Sequence, residues 1–168
     1  MINQNEIYAK IIQILDNNGV EYKLFSHQEA LTYEDLAKVQ QEAGFIGTEM
    51  KCLVLKANDT FFVYITLQGE KVNFDTIKEK LGVNKIKLCS SEELQEYFGA
   101  KPGCAYPFGF AVQYDIYIDP RIYNQNWLLF SPILPTKTVQ AKGVDLKKVF
   151  DNIENKIEEV TNFNVSVQ

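Results

Sequence analysis

Lys51 opens an apolar run, Cys52-Leu53-Val54-Leu55, and offers the first chemistry in the chain. Side chains alternate along a strand, so Lys51, Leu53 and Leu55 share one face and Lys56 takes the other. If the leucines face a core, Lys51 leans over the rim of an apolar pocket. An ammonium there can bind a phosphate or carboxylate, or stabilise a developing oxyanion. The plainer alternative is an edge lysine in solvent. The second candidate is the stretch Lys101-Pro102-Gly103-Cys104-Ala105-Tyr106-Pro107-Phe108-Gly109. Proline fixes φ and removes a donor while glycine permits positive φ, so this stretch is neither helix nor central strand. Gly103 and Pro107 form a Gly-x-x-x-Pro pattern in a stiff loop that would let a ligand approach bare backbone groups. Composition alone also fits a plain turn between strands.

Three more positions complete the candidates. His27 follows a short strand and precedes a helix; it reads either as a site residue or as a satisfied structural histidine. Asp119 closes the apolar strand Ile116-Tyr117-Ile118, and either caps the Pro120-Arg121 turn or lines the same cavity. Ser131-Pro132 and Thr136 lie in a second proline-containing loop able to complete a pocket wall. Cys104 is the cysteine in the stiff loop, but a thiol nucleophile wants a base and the only histidine, His27, is far away in sequence. Cys52 and Cys89 sit in apolar runs and read as small buried hydrophobes.

Composition sets outer limits. The chain has 168 residues, 46% of them hydrophobic and 23% charged, values that suit one globular domain with a sizeable core. No apolar run approaches the roughly 20 residues of a membrane span, and the N-terminus lacks signal-peptide character, so the reading is a soluble, cytoplasmic protein. The net charge is −5, and Arg121 is the only arginine among 17 basic residues, which argues against wrapping duplex nucleic acid by charge. A partner gripped at one tip by a local lysine patch stays compatible with that balance. There is no C-x-x-C pair, phosphate-cradling glycine loop, metal-ligand set or Ser-His-Asp signature.

Periodicity gives the framework that holds these residues. Glu6–Asn17 carries an apolar stripe and ends at Gly19, a helix with a left-handed stop. Val20–Phe25 reads as a strand, and Thr32 caps a helix to about Gln41. Met50–Ala57 and Thr60–Thr66 form a hairpin across Asn58-Asp59. Asp75–Leu81 and Ser91–Phe98 are short helices around a strand at Lys85–Cys89. Further strands lie at Phe110–Gln113, Ile116–Ile118, Trp127–Phe130 and Thr136–Ala141. A final helix spans Asp145–Val160, with Ile153 and Ile157 on its apolar face, and residues 161–168 form a frayed tail. Strands and helices intermingle without regular alternation. The fold class is therefore α+β, a curled, mixed, largely antiparallel sheet flanked by helices, with 1–160 as one domain.

Taken in order, several of these pieces resemble the YbaK/prolyl-tRNA synthetase-associated editing domain family. They are Met50-Lys51-Cys52-Leu53-Val54-Leu55-Lys56, the Gly69 to Asp75 stretch with a helix ending Leu81-Gly82, Lys85–Glu93, Gly99–Gly109, and Ile116-Tyr117-Ile118-Asp119. The resemblance covers roughly residues 5–150. It implies an aminoacyl-tRNA deacylase, free-standing or attached to prolyl-tRNA synthetase, that clears alanine, serine or cysteine from the acceptor end of proline tRNA. No cofactor or metal is implied. By the same resemblance Lys51 and Gly103 are catalytic, and His27, Cys104, Ala105, Tyr106, Pro107 and Asp119 surround the substrate; Ser131, from the second proline-containing loop, is placed beside them. Backbone groups of Gly103–Tyr106 hold the ammonium or the attacking water, the ribose hydroxyl helps activate that water, and the Cys104 thiol is a bystander. The stretch Phe130–Thr138 fits the family only in part, which leaves the amino acid open. A catalytically weak tRNA- or protein-binding module appended to a synthetase is the competing reading, and a regulator that binds an amino acid or nucleotide is a third.

Overall fold

The computed structural model describes residues 2–166. Helix α1 (Gln4–Asn17) begins where Asn3 accepts from the N–H groups of Asn5 and Glu6, and it buries the stripe Ile7, Ile11 and Leu15. Strand β1 (Tyr22–Ser26) comes next. Helix α2 (Tyr33–Ala43) opens on a reciprocal capping box between Thr32 and Asp35 and stops at Gly44 in the left-handed region. The hairpin β2 (Thr48–Ala57) and β3 (Thr60–Leu67) turns through Asn58 and Asp59, both at positive φ, as a two-residue turn between twisted strands requires.

The second half is less regular. Helix α3 (Phe74–Leu81) leads to the two-residue strand β4 (Lys87–Leu88) and the short helix α4 (Ser91–Glu93), which continues as a π-helical turn through Leu94–Phe98. Strand β5 (Asp115–Ile118), a 3-10 turn at Pro120–Asn124, strands β6 (Leu128–Phe130) and β7 (Lys137–Ala141), helix α5 (Gly143–Asn152) and strand β8 (Ile157–Glu159) complete the chain. The strands make an open mixed sheet in the order β1-β7-β6-β2-β3-β5-β8, with β4 attached to β2. The mixed, helix-flanked sheet expected from the sequence is the fold observed.

Strand β2 is the hub. On one edge it pairs antiparallel with β3 over its last eight residues. On the other edge β6 runs parallel to it only at Thr48 and Glu49, and β4 runs antiparallel only at Leu55 and Lys56. Between Glu49 and Leu55 no strand among the described residues closes that edge. The two faces of β2 also separate: Met50 and Val54 enter the main core with Val63, Ile65 and Phe98, while Leu53, Leu55 and Ala57 enter a second cluster with Phe62, Tyr64 and Ile77.

Three expectations need correction. Helix α5 ends at Asn152, and Ile153 is already extended at ψ 157°. The polar run Asp151-Asn152, with Glu154-Asn155 just beyond, is poor helix material, and the free edge of β5 captures the residues after it. Ile116 N–H donates to Lys156 O, Val160 N–H donates to Ile118 O, and β8 runs parallel to β5. Residues 110–113 form no strand, and Ala111 and Val112 are bends. The frayed tail is also wrong as far as Val165: Phe163 is fully buried against Tyr64 and Tyr117, Asn164 hydrogen-bonds Thr66 and Asp119, and Val165 N–H donates to Lys71 O at 2.7 Å. Val167 and Gln168 lie outside the described residues.

Candidate active site

The open edge of β2 is the floor of a cavity of about 320 Å³. Residues 49–54 line it from β2, Leu31, Thr32, Tyr33 and Leu36 from the start of α2, Leu88, Cys89 and Leu94 from the β4–α4 region, and Gly103, Ala105 and Ser131 from two loops. The split in the sheet therefore makes the pocket, because β6 departs before β4 arrives. Four of the sequence candidates meet here: Lys51, Gly103, Ala105 and Ser131.

Lys51 shares its face with Leu53 and Leu55, as alternation requires. Its Nζ donates to Glu70 O at 2.7 Å, leaving two N–H donors for other acceptors. Burial lowers the Lys51 pKa, and the nearby Glu70 charge partly opposes that. The Glu70 carboxylate in turn pairs with Arg121 Nη1 at 2.9 Å.

Gly103 stands at φ +88°, and a Cβ there would overlap the backbone oxygen of Leu31. The loop is thus pressed against the residue that enters α2, with room only for bare backbone. Cys104 N–H is spent on Lys101 O at 2.9 Å, and among the described residues the N–H groups of Gly103 and Ala105 make no bond within the chain. Both residues line the cavity, so unbonded backbone is what the loop brings to its wall. Ser131 lies on the far wall, its Oγ 3.5 Å from Leu134 O.

The other candidates do not line the cavity. Cys104 is fully buried, its Sγ 4.0 Å from Ala30 O, and burial pushes the thiol up to about 11, the wrong direction for a nucleophile. Tyr106 is a core residue whose hydroxyl donates to Phe98 O at 2.8 Å while its ring packs on Phe110. Pro107 is buried beside it. Both shape the loop from below. His27 lies just past the end of β1 with both ring nitrogens engaged, Nε2 with Thr138 Oγ1 and Nδ1 with Gln28 O, each at 2.7 Å.

Asp119 sits apart as the knot of a polar cluster. It accepts from Thr66 Oγ1 at 2.7 Å, Arg121 Nη2 at 2.6 Å, the Arg121 backbone N–H at 3.1 Å and Asn164 Nδ2 at 3.2 Å. Burial works to raise its pKa, but the bonds from Arg121 and Thr66 outweigh burial and hold the carboxyl below its ordinary value. Asp119 reaches the cavity only through Arg121, Glu70 and Lys51.

One cavity residue escaped the sequence reading. Glu49 lies two positions before Lys51 and is only 7% exposed. Its Oε1 has no hydrogen-bond partner among the described residues, and burial pushes the carboxyl from 4.5 up to about 7. Starting β2 at Met50 placed Glu49 before the strand. The available signal was an acid in register with Lys51 at the mouth of an apolar run.

A model described as the aminoacyl-tRNA editing domain matches residues 27–149. The prolyl-tRNA editing protein ProX of Acetoanaerobium sticklandii is 23% identical over 144 residues, which span 83% of this chain and 87% of that protein. A proline–tRNA ligase of Bacillus velezensis is 29% identical over 98 residues, which span 56% of this chain but only 17% of the ligase. Among solved structures, one described as a candidate trans-editing enzyme for prolyl tRNA synthetase superposes with a TM-score of 0.71 at 15% identity, covering 91% of this chain and 95% of that one.

Proposed function

The chain belongs to the aminoacyl-tRNA editing domain family, and on that premise we propose that it is a deacylase that hydrolyses the ester between a mischarged amino acid and the terminal adenosine of proline tRNA. Alanine, serine and cysteine are the amino acids proposed, released from tRNA delivered freely or held by prolyl-tRNA synthetase. The observation that carries the reading is the meeting of Lys51 with Gly103 and Ala105, whose backbone N–H groups are unbonded within the described residues, around one cavity of about 320 Å³, a volume suited to a small aminoacyl group.

The chemistry asks little of a nucleophile. Water adds to the ester carbonyl carbon, negative charge gathers on the carbonyl oxygen, the carbon–oxygen bond to the ribose breaks, and the ribose oxygen takes a proton. An aminoacyl ester is intrinsically labile, so positioning and charge stabilisation are the main requirements. The two spare donors of Lys51 and the free backbone N–H groups of the loop are fixed donors for that oxygen or for the neighbouring ribose. Preorganisation comes from Glu70 O, which holds the lysine, and from Leu31, which fits only a glycine at 103. The Cys104 thiol and the His27 ring take no part.

Incubation with alanyl-, seryl- and cysteinyl-tRNA(Pro), tracking loss of the ester, tests the proposal. Faster hydrolysis of at least one of the three than of prolyl-tRNA(Pro) is expected. Binding of tRNA without hydrolysis of any would favour a non-catalytic binding module.

A further inference from the structure

The unpartnered Glu49 carboxylate is the one buried side-chain acceptor left without a partner among the described residues. An acceptor removed from water with nothing to accept from costs free energy, and native proteins rarely leave one without a reason. It does not stand alone in space: it lines the same cavity as Lys51 and Gly103. Strand register sets it beside Leu129 of β6, whose side chain belongs to an apolar cluster with Val39 and Phe45. The Tyr33 hydroxyl and the Cys52 thiol feel its charge, both pushed up by burial with the glutamate adding to the effect. Lys51 does not neutralise it; its Nζ is held by Glu70 O, and Glu49 takes part in no ion pair among the described residues. The cavity therefore carries one anion and one cation, separately placed on the same face of β2.

A substrate of the proposed class supplies the complement. An aminoacyl ester has a single positive group, the α-ammonium, on the carbon next to the reacting carbonyl. We propose that Glu49 receives this α-ammonium and thereby makes the site select aminoacyl esters over acyl esters that lack an amine. The inference rests on the deacylase reading and reassigns one role within it. The backbone of Gly103–Tyr106 is left to the carbonyl oxygen and water, and the ammonium goes to a carboxylate. Glu49 is a substrate-binding residue in this account, not the base that activates water. Binding the cation also explains why an orphaned acid persists in the wall: its missing partner arrives with the ligand.

The test compares two esters that differ only at this group. Alanyl-tRNA(Pro) carries the ammonium; lactyl-tRNA(Pro) carries a hydroxyl in its place. Glu49→Gln keeps the size of the side chain and removes the charge. The expected result is a loss of about 10- to 100-fold in kcat/KM on the alanyl ester, with the lactyl ester changed by less than about twofold. An equal loss on both would overturn the proposal, since a general base or a merely structural residue acts on both alike; so would no loss on the alanyl ester. A second measurement does not depend on turnover. Binding of 3′-alanylamino-3′-deoxyadenosine and its lactyl counterpart, stable amides of the same shapes, is measured by calorimetry. The wild type should prefer the alanyl amide by about tenfold, and Glu49→Gln should erase that preference. If the wild type cleaves neither ester, the deacylase reading fails while the amide preference still decides Glu49. Absence of that preference, or of any binding, overturns it.

Discussion

Asp119 and Glu49 are two carboxylates buried to almost the same depth, 3% and 7% exposed, on neighbouring parts of one sheet. Asp119 accepts hydrogen bonds from Thr66, Arg121 and Asn164, and its pKa stays low despite burial. Glu49 has an oxygen with no partner among the described residues, and its pKa climbs to about 7. Burial is common to both; satisfaction is not. A carboxylate bonded from several sides fastens structure together, here β3, β5, the Pro120 turn and the C-terminal segment. One left open in the wall of a cavity is prepared for something that comes and goes. The Asp119 knot reaches Lys51 through Arg121 and Glu70, so the satisfied cluster holds the cavity's lysine while the unsatisfied acid stands in the cavity wall.

Removing each acid should shift stability in opposite directions. Asp119→Ala leaves the Arg121 guanidinium, Thr66 and Asn164 without their common acceptor. A loss of about 3–5 kcal/mol is expected in denaturant unfolding, the usual cost of breaking one side of a buried pair. A loss below about 1 kcal/mol would mean that Asp119 is not the fastener described. Glu49→Gln should instead stabilise, and only at the right pH. A carboxyl whose pKa is 4.5 unfolded and about 7 folded costs nothing below pH 4.5; its penalty grows between pH 4.5 and 7 and levels off above 7. At pH 8 the full cost of ionising it is about 3 kcal/mol, so the variant should gain up to that amount there and almost nothing at pH 4.5. Equal unfolding midpoints for wild type and variant at both pH values would show that Glu49 is solvated or partnered in solution, and the contrast with Asp119 would collapse.

Much of the fold could be read locally. The β2–β3 hairpin came from alternation and from Asn58-Asp59, two residue types that tolerate positive φ. Lys51 could be placed on the face of Leu53 and Leu55 for the same reason. The tight loop at Gly103 was legible in composition, though not the contact with Leu31 that demands a glycine. What could not be read was non-local. The cavity exists because β6 leaves β2 at Glu49 and β4 joins it at Leu55, and neither pairing has a signature in the residues concerned. The same gap in reach led Asp119 and His27 to be grouped with the site: each lies at a strand end, where site residues gather, but each is committed to neighbours distant in sequence. The end of α5 failed for a related reason. The spacing of Val149, Ile153 and Ile157 suits a helix, and only the waiting edge of β5 turns Ile157–Glu159 into a strand.

If the cavity floored by β2 is where an aminoacyl ester is cleaved, with Lys51 as its cation, one comparison decides it. The initial rate of alanyl-tRNA(Pro) hydrolysis is measured for wild type and Lys51→Ala at equal concentration, with folding of the variant checked by its unfolding transition. A loss of about 100-fold or more is expected, in line with removing a preorganised donor from a reacting oxygen, with an unfolding midpoint close to that of the wild type. A folded Lys51→Ala that retains full activity would contradict this assignment.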